Sequence, residues 1–229
     1  MCKVTLTAMA MLLSIGASTP SDEWISLFDG KTLKGWSVHS GFAKYHVEDG
    51  AIVGTAILDS PNTFLCTDRE FGDFILEFEV KVDPRLNSGV QFRSLIAGQD
   101  TVLTLERDGK KVEQKLPADR VYGYQAEIAN EASADSGNVY DEARRGRFLD
   151  DFSKRPEAKT AFKDNQWNRY LIVCKGTSIR TWINGVPCAD FSDAMTARGI
   201  IGLQVHGVPK KDFQSFQVRW RNLRLMELN

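Results

Sequence analysis

The sequence predicts an all-β protein, a sandwich or jelly roll of two antiparallel sheets. Three observations lead there. Phe74, Leu76, Phe78, Val80 and Val82 alternate with Ile75, Glu77, Glu79 and Lys81, the period-two pattern of a half-buried strand. Asn184-Gly185 separates two apolar runs, a strong hairpin signal. Short strand-like runs with glycine-containing turns recur through residues 22–229 with no linker or composition shift, which predicts one domain there.

From the N-terminus, Met1 to Lys3 is a short basic start to an apolar run over residues 4–17, with small residues at Gly16, Ala17 and Ser18. The run is too short to span a bilayer and has the length of a signal-peptide core, so residues 1–18 are expected to be a cleaved export signal. A buried N-terminal helix is the alternative. Glu48-Asp49-Gly50 punctuates a hairpin between residues 45–47 and 51–55. Residues 171–174, 179–183 and 186–191 read as a meander turning at Lys175-Gly176 and Asn184-Gly185, and residues 216–228 as a final long strand. Residues 141–162, rich in Arg, Glu, Lys and Ala and interrupted by Pro156, are the one helix-like or loop insertion.

Composition excludes several classes. The 29 Lys and Arg against 30 Asp and Glu give a net charge of −1, which offers nothing to attract a nucleic acid. With 5 Trp and 13 Phe the chain has ample material for a core and is not disordered. No apolar run would hold the chain in a membrane once the signal is removed. Cys66, Cys174 and Cys188 show no C-x-x-C spacing and sit among apolar neighbours, so buried, inert thiols are expected rather than a zinc site or a disulfide framework. His39 and His46 lack ligand-like partners; no metal site and no cofactor is implied, and a divalent cation is not indicated.

One constellation occurs three times: Gly89-Val90-Gln91-Phe92-Arg93, Gly123-Tyr124-Gln125-Ala126-Glu127 and Gly202-Leu203-Gln204-Val205-His206. On a strand, residues i, i+2 and i+4 share a face, so the apolar pair of each segment enters the core. The other face presents Gly, Gln and then Arg93, Glu127 or His206. Such a face suits a sugar. Glycine lets a ring approach the sheet, glutamine offers donors and acceptors to hydroxyls, and Arg, Glu and His supply an anion stabiliser, a carboxylate and a group titrating near neutrality. Asp141, Glu142, Arg144, Arg145 and Arg147 form a charged segment with two readings, a solvated surface or a lid bringing Arg144 or Arg145 over the sheet.

The run Trp24-Ile25-Ser26-Leu27-Phe28-Asp29-Gly30-Lys31-Thr32-Leu33-Lys34-Gly35-Trp36 resembles the opening motif of the 3-keto-disaccharide hydrolase domain family, also described as 3-keto-glucoside lyase and 3-keto-2-hydroxy-glucal hydratase. Asn87-Ser88 leading into the first repeat, Tyr122 and Ile128 around the second, Gly199-Ile200-Ile201 before the third and Val218-Arg219-Trp220-Arg221-Asn222-Leu223 extend the resemblance over nearly all of residues 22–229. Many members carry Glu first and Gln two residues later on the second strand. Here Gln125 precedes Glu127, which moves the carboxylate about 7 Å along the strand.

The resemblance implies a concanavalin A-like jelly roll in exported bacterial proteins, periplasmic or extracellular, that act on 3-keto-glycosides. The ketone acidifies the hydrogen on carbon 2, so a base, an oxyanion stabiliser and an acid suffice for elimination to a 2-hydroxy-glucal and its hydration. Glu127 or His206 would be the base and the other the acid, with Arg93 on the enolate oxygen. Gln91, Gln125, Gln204, Asp141, Arg144 and Arg145 would hold the carbohydrate substrate. A non-catalytic carbohydrate-binding module would use the same fold and face, and a conventional glycosidase would need a carboxylate ladder that no strand displays.

Overall fold

The computed structural model describes residues 23–107, 109–208 and 215–228, so the expected export signal lies outside the described residues. In chain order the strands are β1 (Ile25–Ser26), β2 (Trp36–His39), β3 (Lys44–Glu48), β4 (Ala51–Thr55), β5 (Thr63–Thr67), β6 (Phe74–Val82), β7 (Ser88–Ile96) and β8 (Thr101–Arg107). There follow β9 (Lys110–Leu116), β10 (Val121–Ile128), β11 (Val139–Glu142), β12 (Asn168–Lys175), β13 (Ser178–Ile183), β14 (Val186–Ser192), β15 (Ile200–Val205) and β16 (Gln217–Glu227). One sheet has eight strands in the order β14-β13-β12-β6-β16-β4-β3, with β1 also on β16; the other has six, β11-β10-β7-β15-β5-β2. The pairings are antiparallel, and β8 and β9 form a separate ribbon.

The core lies between the two sheets. Leu76, Phe78 and Val80 of β6, Ile172 of β12 and Trp220 of β16 meet Val90 and Phe92 of β7, Tyr124 and Ala126 of β10 and Leu203 and Val205 of β15. The expected two-sheet sandwich is the observed one. Its hairpins use the turn chemistry their sequences announce. Asn184 and Gly185 have φ of 51° and 86°, and Asp49 and Gly50 have 50° and 71°, the two positive values that suit the twist of the flanking strands. Cys66, Cys174 and Cys188 are buried and unpaired, and burial pushes the Cys174 and Cys188 thiols up to about 12.

Two features differ from the periodicity. Residues 141–162 contain no α-helix: Asp141 and Glu142 end β11, and short 3₁₀ turns follow at Phe152–Lys154 and Pro156–Thr160, where Pro156 opens the second turn without losing a bond. On β7 a bulge interrupts the alternation. Ile200 pairs Ser94 while Gly202 pairs Gln91, so β7 carries one residue too many, and Arg93 takes φ of 45°. Among the described residues no helix is long and apolar enough to cross a membrane.

Candidate active site

The three repeat segments lie side by side as β10, β7 and β15. Gln125 pairs Gln91, which pairs Gly202; Glu127 pairs Gly89, which pairs Gln204. Directly paired residues share a face, so three glutamines and Glu127 stand together on the outer side of the six-stranded sheet. All but Gln91 line a cavity of 390 Å³, together with His206, Asn62, Asn87, Tyr140, Glu142 and Phe148. That volume is in the range of small-molecule sites.

Glu127 occupies the best-organised position. The Asn87 amide donates to Oε1 at 2.5 Å and the Gln125 amide to Oε2 at 3.0 Å. Behind Gln125 the bonds continue in one direction. Gln91 Nε2 donates to Gln125 Oε1 at 2.7 Å, and Ser94 Oγ donates to Gln91 Oε1 at 2.7 Å. This relay fixes the Gln125 amide with its N–H toward Glu127. Gln91 therefore orients a neighbour from behind the pocket wall. Burial raises the Glu127 carboxyl to about 7, although both amide bonds oppose the shift; the charges of Glu142 and Asp135 add to the rise.

His206 follows β15, and its Nδ1 lies 2.7 Å from the Gly207 carbonyl oxygen. A carbonyl can only accept, so Nδ1 carries a hydrogen, and in the neutral ring Nε2 keeps its lone pair. Gln204 is fully buried, yet among the described residues neither its amide nitrogen nor its oxygen has a hydrogen-bond partner. Burying both groups unpaired is costly, and the open pocket beside them is where a polar ligand would bond. On the far wall Glu142 Oε1 accepts from Arg120 at 2.5 Å and from Asn62 at 3.2 Å.

The glycines of the repeat make room for the protein's own side chains rather than for a sugar ring. A Cβ on Gly89 would lie 2.4 Å from Gln125 Cδ, one on Gly123 2.8 Å from Ser94 Oγ, and one on Gly202 3.1 Å from Cys66 Sγ. Gly89→Ala is therefore expected to displace the Gln125 amide from Glu127 and destabilise the fold by about 1–3 kcal/mol. An unchanged thermal midpoint in that variant would contradict this role.

Four expected residues are elsewhere. The bulge sends Arg93 away from the pocket, where its buried guanidinium bonds the Gly72 and Gly176 carbonyls at 2.7 and 2.8 Å and Asp73 at 2.6 Å. Asp141, Arg144 and Arg145 form no lid. Alternation along β11 turns Tyr140 and Glu142 to the pocket and Asp141 to the other side. There Asp141 accepts from Arg144 Nε at 2.8 Å and from Arg145, while Arg144 reaches Thr196 at 2.6 Å and Arg145 reaches Asp193 at 2.6 Å. Tyr124 donates to Asp193 as well; burial, then that bond, pushes its hydroxyl up to about 12. The repeat marks none of Asn62, Asn87, Tyr140, Glu142 and Phe148; Asn87 stands two residues ahead of Gly89 in the family motif, and Glu142 in the charged segment. Among the described residues no group of three or more His, Cys, Asp or Glu is placed to hold a metal ion.

The fold and site together define a two-sheet antiparallel sandwich with a buried carboxyl group in an amide-lined outer pocket. The chain belongs to the 3-keto-alpha-glucoside-1,2-lyase-like domain family, whose model matches residues 23–226. No curated protein matches it. Among solved structures it is similar to a candidate glycosyl hydrolase from Parabacteroides distasonis, at 19% identity and TM-score 0.55, covering 90% of this chain and 94% of that one. It is similar also to carbohydrate binding module CBM66 from Bacillus subtilis, at 16% identity and TM-score 0.56, covering 84% and 96%. A Bacillus subtilis protein of unknown function with a galectin-like fold matches at 12% identity and TM-score 0.52, covering 85% and 90%. These likenesses support the fold.

Proposed function

We propose that the chain is an exported enzyme that cleaves 3-keto-glycosides by elimination and hydration, a net hydrolysis. The observation that carries this is Glu127, a buried carboxyl raised to about 7 and held by two amides in the pocket that also holds His206. A carboxyl so placed is protonated for much of the time at neutral pH and suits a general acid. His206, with Nε2 free to accept, is the base.

In the elimination His206 takes the proton from carbon 2, and the electron pair forms the enolate of the carbon 3 ketone. The enolate then closes the double bond between carbons 1 and 2 and expels the glycosidic oxygen, which takes the Glu127 proton. Water then adds at carbon 1, giving its proton to the Glu127 carboxylate, while the imidazolium returns a proton to carbon 2. Both side chains regain their starting states. Arg93 is too remote for the enolate oxygen, and the unpartnered Gln204 amide takes that role, its N–H bond strengthening as charge develops. The two carboxylates of an ordinary glycosidase are not required, because no free oxocarbenium ion forms.

The test is release of sugar from a 3-keto-disaccharide, with the parent disaccharide as control. Turnover of the keto form alone is expected; cleavage of neither form would remove the proposal and leave a binding module. Gln204→Leu keeps the side-chain volume but withdraws the amide, and kcat is expected to fall about 10²–10³-fold. Retention of full kcat would assign the enolate oxygen to another donor.

A further inference from the structure

The two terminal motifs do not reach the active-site pocket. Instead they meet at a second cavity of 810 Å³, about twice its volume, where Trp24 and Asp29 of the opening motif face Asn222 of the closing one. Its floor is Glu77 and Glu79 of β6. Their neighbours Leu76, Phe78 and Val80 point into the core, so this cavity opens on the outer face of the eight-stranded sheet, across the sandwich from Glu127.

Joining the chain ends needs only backbone. Ile25 pairs Leu225, and Leu27 N–H donates to the Leu223 carbonyl at 2.9 Å. The side chains do more than this. Positions 221 and 224 are three apart and would face opposite ways on a regular strand. One extra residue between them, with Asn222 at φ of 53°, brings both arginines to the outer face. Arg224 Nη2 then donates to Glu77 Oε1 at 2.9 Å and Arg169 Nη2 to Glu77 Oε2 at 2.6 Å. Arg221 Nε and Asn222 Nδ2 both donate to Glu79 Oε2, at 2.5 and 3.1 Å, which leaves Glu79 Oε1 without a partner among the described residues. The Arg224 guanidinium sits 4.4 Å over the Trp24 ring. Beyond the Arg221–Glu79 pair a 440 Å³ cavity continues the arrangement, with Arg221 4.1 Å over Trp167.

These groups match the chemistry of a neutral polyol. Arg169 and Arg224 each spend one nitrogen on Glu77 in the described interactions and remain half exposed, with 60% and 45% of their side chains accessible, so their other N–H groups face the cavity. Glu79 Oε1 can accept from a hydroxyl, and the Trp24 indole lines the same cavity. Asp29 is fully used, accepting from Lys31 N, Thr32 N and Thr32 Oγ1 at 2.8, 2.7 and 2.7 Å. Each glutamate is matched by arginine, so no net positive field selects an anion. We infer that this face is a second saccharide-binding site, which takes pyranose units of a neutral oligosaccharide and anchors the protein to a glycan without joining in bond cleavage.

The experiment is calorimetric titration of the full chain with cellotetraose, maltotetraose, laminaritetraose and tetragalacturonate. At least one neutral tetrasaccharide is expected to bind. Trp24→Ala and Arg169→Ala should each weaken it at least about tenfold. Gln204→Leu and Glu127→Gln should leave it intact. Trp24→Phe, which keeps a ring, should retain binding, and an unchanged thermal midpoint in Arg169→Ala separates lost contact from lost fold. Turnover of a soluble 3-keto-disaccharide by Trp24→Ala should stay within twofold of the parent. Because binding is read without turnover, this inference and the proposed activity fail separately. It is overturned by binding that Gln204→Leu abolishes and Trp24→Ala spares. Preference for tetragalacturonate, or no neutral binding at about 10 mM, where even a millimolar site would fill, overturns it equally.

Discussion

Glu127→Gln is expected to cut turnover of a 3-keto-disaccharide by about 10²–10⁴ and, above neutral pH, to make the protein more stable. The amide keeps the shape but cannot donate the proton, which accounts for the first effect. The second follows from linkage. Burial lifts the Glu127 carboxyl from 4.5 to about 7, so between those values the folded state holds a proton that the unfolded state has released. The stabilisation that this proton binding represents is complete below pH 4.5 and is lost as the pH rises through about 7. By pH 8 the full cost of burying the carboxylate, about 3 kcal/mol, falls on the native protein, and glutamine avoids it. Urea melts of parent and variant at pH 5 and pH 8 check this: the variant's advantage should widen toward pH 8. A constant difference would mean that Glu127 titrates as an ordinary exposed carboxylate.

Asp141→Ala should destabilise the fold by about 3–5 kcal/mol, without touching the pocket directly. The Asp141 side chain is fully buried, and those of Arg144 and Arg145 are 4% and 11% exposed. Removing the carboxylate takes from two buried guanidinium groups the anion they share, while Asp193 remains on Arg145. The Tyr124–Asp193 bond beneath β10 depends on the same balance. Thermal unfolding should show a large fall in midpoint, and Asp141→Asn, which can still accept one bond, should fall between. A loss below about 1 kcal/mol would show that water enters the cluster when the carboxylate leaves.

The period-two reading was sufficient wherever a strand is regular. It put Gln91, Gln125, Gln204 and Glu127 on one face, and the repeat pointed to neighbouring strands before any pairing was known. It failed at Arg93 because one inserted residue reverses the parity of everything beyond it, and nothing in Phe92-Arg93-Ser94 announces a bulge. It failed at Asp141 because a strand of four residues inside a charge-rich run is too short to show a period. Asn62 and Glu142 come to the pocket from separate segments, joined there only by register and a shared hydrogen bond. Asn62 has no local signature, and the charged run around Glu142 does not tell which of its residues turns to the pocket. The glycines were noticed for a sound reason, close approach, but the approaching groups were Gln125, Ser94 and Cys66.

The place of β16 in the large sheet governs how the chain can fold. The last strand lies between β6 and β4, pairing with residues some 140 to 170 positions earlier in the sequence. Until it arrives, the eight-stranded sheet exists only as two fragments, β14-β13-β12-β6 and β4-β3, each with an open edge and an uncovered apolar face. Closure of so distant a pairing makes folding slow, and the half-made sheet stays adhesive until β16 has been synthesised. A chain ending at Phe216 would lose Val218, Trp220, Leu223 and Leu225 from the core along with the strand. It should collect in inclusion bodies even if every residue of the Glu127 pocket is intact.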